Sequence, residues 1–164
     1  MSKPFRLSHT FQVARPTLWA VYTQPEHLSK WFAPQGFTMP AYDMEFRVGG
    51  RFLHAMQALD GTQMWGKWEF LGIDAPQRLS IIQGFSDAQG GLSRHPLSPT
   101  WPLRTMATTT LTEEGAGSSA LHLEWLPFEA TPEEIATFDA GHESMAQGWG
   151  GTFKQLESYL ATLA

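Results

Sequence analysis

Residues 131–163 read TPEEIATFDAGHESMAQGWGGTFKQLESYLATL, and the rest of the chain is organised around them. Ile135, Phe138, His142, Met145, Trp149, Thr152, Leu156 and Tyr159 recur at steps of three or four, which puts one stripe along one face of a helix. The opposite face, Glu143, Gln147, Lys154, Gln155, Glu157 and Ser158, is polar and can stay in water. Thr131 can cap, Pro132 suits the first helical position, and Glu134 completes a capping box. Gly148, Gly150 and Gly151 surround Trp149 in mid-helix. Each glycine costs about 1 kcal/mol relative to alanine, so roughly 3 kcal/mol must be offset in total, by close packing on a sheet or by room left for something beside the helix.

Outward from this helix the period changes. Residues 5–13 alternate apolar and polar, as a half-buried strand does. Ala14-Arg15-Pro16 opens a helix with Leu18, Trp19, Val21 and Tyr22 inside; Pro25 ends it, and a second short helix runs through His27, Leu28 and Trp31. From residue 42 the period is two. Tyr42–Phe46 and Arg51–Gln57 form a hairpin about Val48-Gly49-Gly50, and Asp60-Gly61 marks the next turn. Residues 62–73 make a long strand whose even positions hold Met64, Trp68 and Phe70 and whose odd positions hold Trp65, Leu71 and Ile73, so parity leaves its inner face open. Arg78–Phe85 is a strand, and Leu103–Thr112 with Ser118–Leu126 is a last hairpin. Between them, residues 86–102 have no period and are rich in Gly, Pro and Ser; so long a loop is expected to be mobile and to border a functional opening, with Trp101 near its hinge. Strand, two short helices, about six antiparallel strands and a long helix predict an α+β fold in which a curved sheet wraps the helix.

The composition bounds the function. A length of 164 residues predicts one domain, 1–164, and 42% hydrophobic with 16% charged residues is a globular balance. A net charge of −5 with singly scattered Lys and Arg argues against nucleic acid. The absence of cysteine removes disulfides, thiolate nucleophiles and cysteine-based metal sites. No apolar run reaches membrane-spanning length and the start lacks the apolar core of a signal peptide, so a cytoplasmic protein without membrane insertion is expected.

Several strings resemble the START-like (SRPBCC) superfamily and, within it, the activator of HSP-90 ATPase homologue family: Ala14-Arg15-Pro16-Thr17-Leu18-Trp19, Pro25–Phe32, Val48-Gly49-Gly50-Arg51-Phe52, Gly66 with Ile73–Leu79, and Gly148–Leu156. The resemblance spans nearly the whole chain. It implies a helix-grip fold with a hydrophobic cavity under the C-terminal helix, and a link to stress response. It does not imply a reaction, since the superfamily includes lipid carriers, secondary-metabolite binders, polyketide cyclases and co-chaperone domains. The eukaryotic co-chaperone has an additional N-terminal chaperone-binding domain; the expectation here is a domain without it.

Seven tryptophans and eleven phenylalanines exceed what a core of this size requires. Trp31, Phe32, Trp65, Trp68, Phe70, Phe85, Trp101, Trp125 and Trp149 are candidates to line a cavity or to pack a core. The expected ligand contacts are Trp31, Trp68, Phe70, Trp125, Met145 and Trp149, with His54 or His142 orienting a mostly apolar, aromatic or polycyclic molecule. No metal or cofactor is expected: residues 142–146 read His-Glu-Ser-Met-Ala and not His-Glu-x-x-His, although His54, His122 and His142 form the one set to check. Asp43, Glu45, Glu69 and Glu124 are strand carboxylates that would act as a base only if turned inward. Three classes therefore stand: a binding module for a small hydrophobic ligand, an enzyme of cyclase or hydrolase type using a His–carboxylate pair in the same cavity, and a co-chaperone-like interaction domain. Whether a reaction is catalysed is undecided at this level, and a homodimer stays open.

Overall fold

Alternation along β1 (Phe5–Phe11) turns Phe5, Leu7, His9 and Phe11 inward and leaves Arg6, Ser8 and Thr10 exposed, in a computed structural model that describes residues 3–163. Two short helices follow, α1 (Arg15–Thr23) and α2 (Pro25–Trp31), each with proline in its first turn, where the missing N–H removes no hydrogen bond. Gln24 both closes α1 and precedes α2.

The strands β2 (Thr38–Met44), β3 (Arg51–Gln57), β4 (Gln63–Asp74), β5 (Arg78–Ser86), β6 (Leu92–Ser93), β7 (Thr105–Gly115) and β8 (Ser118–Pro127) form one antiparallel sheet with β1. Its order is β1-β8-β7-β5-β4-β3-β2, with β6 attached to β5. β2 lies earlier than the expected 42–46. It is an edge strand with an irregularity between Thr38 and Ala41, where Pro40, which cannot donate to a ladder, is tolerated. The connection to β3 requires glycine at Gly50, where a Cβ would lie 2.1 Å from the Glu45 carbonyl oxygen.

The parity of β4 is settled by a bulge. Trp68 pairs with Gln83 and Phe70 with Ile81, so the even positions face inward; the register then shifts between Phe70 and Gly72. Leu71 is left exposed, and Ile73, opposite Leu79, returns to the core.

The C-terminal stretch is two helices instead of one: α3 (Pro132–Ala140) and α4 (His142–Thr162), separated by Gly141 at φ −94°, ψ 5°. The expected capping box at Thr131 and Glu134 is present. Phe138, Met145, Phe153, Leu156 and Leu160 are the buried stripe, whereas Trp149 and Tyr159 are partly buried against it. Gln155 Nε2 donates to the Trp31 and Ala33 carbonyls at 2.9 and 2.7 Å, which fixes the second half of α4 to the end of α2. Leu18, Val21, Leu28, Trp31, Phe70 and Leu156 pack this end of the sheet solid. Trp31 is anchored there by a 2.9 Å hydrogen bond from its Nε1 to the Val21 carbonyl.

Candidate ligand-binding site

At the other end, the first half of α4 stands off the sheet and encloses a cavity of about 790 Å³. Phe32, Met56, Met64, Trp65, Trp68, Phe85, Trp101, Trp125, Met145 and Trp149 are the aromatic and methionine residues of its wall. A space of this size suits a small organic molecule, for which large rings give contact area with few rotors to freeze.

Two of the three glycines of α4 border the opening. A Cβ at Gly148, Gly150 or Gly151 would meet nothing within 4 Å, so these residues do not serve close packing. Gly148 and Gly151 border the cavity, and Gly150 does not. At Gly148 and Gly151 the helix meets open space instead of a packed neighbour, and both residues are exposed at the edge of the cavity.

Of the expected contacts, His54, Trp68, Trp125, Met145 and Trp149 lie in the cavity wall, while Trp31, Phe70 and His142 lie outside it. Trp31 and Phe70 are displaced from the wall because α1 and α2 fill that end of the sheet, and both are 1% exposed. The imidazole of His142 is set edge-on against Phe5 and Phe138 at 5.6 and 5.4 Å. Its Nε2 is buried and has no hydrogen-bond partner.

His54 enters the wall from β3, opposite Gly66 of β4. A Cβ at position 66 would come within 2.6 Å of His54 Nε2, so the imidazole needs a glycine there. Its ring stacks on Phe52 at 4.5 Å and meets the edges of Phe32 and Trp68 at 6.0 and 6.2 Å. Burial lowers its pKa from 6.5 to about 4; the Phe52 backbone opposes that fall weakly, without reaching Nδ1 in hydrogen-bond geometry. The imidazole is therefore neutral near pH 7.

The loop 86–102 supplies Trp101, Pro102 and His95, the last two of which the sequence did not single out. Parts of the loop are held by local contacts. Asp87 Oδ1 accepts from the Gln89 and Gly91 amides at 2.8 and 2.9 Å, and β6 pairs with β5. Arg94 pairs with the buried Glu134 of α3 and holds that carboxyl below its ordinary pKa, with the Thr131 amide adding to the effect. Trp101 packs on Trp125 and Phe138 at 5.9 and 5.5 Å and lies against Gly141.

No Asp or Glu is among the lining residues. Glu69 pairs with Lys67, Glu124 with Arg6 and Glu45 with Arg47. His122 bonds to Ser8 and Thr112 on the outer face of the sheet, so it does not converge with His54. Among the described residues no three His, Asp or Glu side chains are grouped to hold a metal.

A family model described as Activator of Hsp90 ATPase homolog 1-like protein matches residues 12–161. The chain belongs to this family. Three solved structures of similar fold cover it almost end to end. A protein from Arthrobacter aurescens is 26% identical with a TM-score of 0.75, over 97% of this chain and 86% of its own. One from Mycobacterium smegmatis is 23% identical at 0.74, over 96% and 90%. The AHSA1 protein of Silicibacter pomeroyi is 20% identical at 0.74, over 99% and 100%. Among curated proteins no match is found. As in the helix-grip fold of the family, the sheet encloses a long C-terminal helix; no described helix is long and apolar enough to cross a membrane.

Proposed function

We propose that this member of the family binds a small, mostly apolar, aromatic or polycyclic molecule between the sheet and α4. The observation that carries the reading is the cavity of about 790 Å³, walled by aromatic rings and methionines and bordered by Gly148 and Gly151. The lining favours binding over acid–base catalysis, because His54 has no carboxylate beside it to orient the ring or share its proton.

The test is native mass spectrometry of protein purified from cells, joined to tryptophan-fluorescence titration with a panel of flat hydrophobic compounds. Trp68, Trp125 and Trp149 in the wall should give saturable quenching at micromolar concentration, roughly −8 kcal/mol. A protein that carries no small molecule and quenches with none of the panel would refute the reading.

A further inference from the structure

The polar groups in the cavity wall differ in whether the protein already satisfies them. Lys67 is engaged: its Nζ donates to the Gly90 carbonyl at 2.9 Å and pairs with Glu69 at 3.2 Å. His95 is engaged as well, its Nδ1 accepting from the Leu97 amide at 3.0 Å. His54 is not. It is 3% exposed, and its Nδ1 is buried without a partner. Its Nε2 lies over the bare Cα of Gly66, and both residues line the cavity. Phe32, Phe52 and Trp68 surround the ring, so no protein group besides backbone is near to answer it. Buried polar groups are normally hydrogen-bonded; Nδ1 is sealed from the cavity, whereas Nε2, which has no hydrogen bond and is not sealed, is the nitrogen that a ligand atom can reach.

We propose that the molecule bound under α4 is an uncharged, flat ring system carrying a hydroxyl that hydrogen-bonds to His54. This deepens the binding reading above and rests on it. A hydroxyl both donates and accepts, so it pairs with Nε2 in either imidazole tautomer. An anionic substituent has no unpaired counter-charge in the wall: no arginine lines it, Lys67 is paired with Glu69, and the imidazole stays neutral because burial holds its pKa at about 4. A cationic substituent finds no carboxylate among the lining residues.

The experiment is calorimetric titration of the full chain with four matched probes: naphthalene, naphthol, naphthoate and naphthyl-trimethylammonium. Naphthol should bind about fivefold or more tighter than naphthalene, the gain of one hydrogen bond. Naphthoate should bind at least about tenfold more weakly than naphthol, and the ammonium probe, which the rings alone can attract, should not exceed naphthol. The ratio of naphthol to naphthalene affinity should fall to about one in His54→Phe. Gly66→Ala is the second variant, since its methyl displaces the imidazole, and it should lower the same ratio. Equal affinity for naphthalene and naphthol in the unaltered protein overturns the inference while leaving the cavity reading intact. So does tightest binding of either charged probe, or a ratio unchanged in the variants. Binding of none of the four overturns the cavity reading, and this inference with it.

Discussion

His54 is the residue at which the cavity and the stability of the fold meet. Its pKa in the folded chain, about 4, lies below the ordinary 6.5 because burial disfavours the charged ring. As pH falls the unfolded chain therefore takes up the proton first. The stability contributed by the neutral imidazole is present above about pH 6.5 and is lost towards pH 4. Between pH 7 and pH 5 this amounts to about 2 kcal/mol. Urea unfolding at the two pH values should show that extra fall in the unaltered protein and not in His54→Gln; parallel falls would place the imidazole in water. His54 was legible in the sequence as a candidate, but its isolation was not. That isolation depends on Gly66 across the ladder and on Phe32, which reaches it from the end of α2.

At the scale of elements, α4 separates two demands on its glycines. Gly150 meets no neighbour and does not border the cavity, so Gly150→Ala should stabilise the fold by about 1 kcal/mol and leave ligand affinity unchanged. Gly148→Ala has the same helical gain, yet its methyl lies at the edge of the cavity and should weaken the proposed binding. Denaturant unfolding with a matched titration tests both, and equal effects on binding would contradict the division. The loop 86–102 belongs to this scale as well. Arg94 ties it to Glu134, and Thr137 Oγ1 donates to Thr100 Oγ1 at 2.8 Å. Arg94→Ala should speed hydrogen exchange across residues 94–101 with little change in β7 and β8. Unchanged exchange would mean that the Trp101 packing alone holds the segment.

For the whole molecule, periodicity located nearly all the elements, because a stripe every three or four residues and an alternation of two are imposed by backbone geometry alone. Phe138, Met145 and Leu156 were readable as inward-facing for that reason. What periodicity could not supply was the division of the inner face into a packed end and an open one. Trp68 and Phe70 share a strand and a face, yet Trp68 borders the cavity and Phe70 lies under the end that α1 and α2 fill. The break at Gly141 was likewise hidden, since the stripe of residues passes through it without a change of step. Nor did the inner face of β4 follow from parity, because the bulge at Leu71 transfers the inward set from even to odd positions.

The central claim, that the space under α4 is a ligand chamber, is tested most directly by plugging it. Titration of Gly148→Leu/Gly151→Leu with naphthol, monitored by calorimetry beside the unaltered protein, should show affinity reduced at least about tenfold, while circular dichroism keeps the native helix and strand signal. Unaltered affinity in the folded, plugged protein would contradict the account and put the binding surface elsewhere on the molecule.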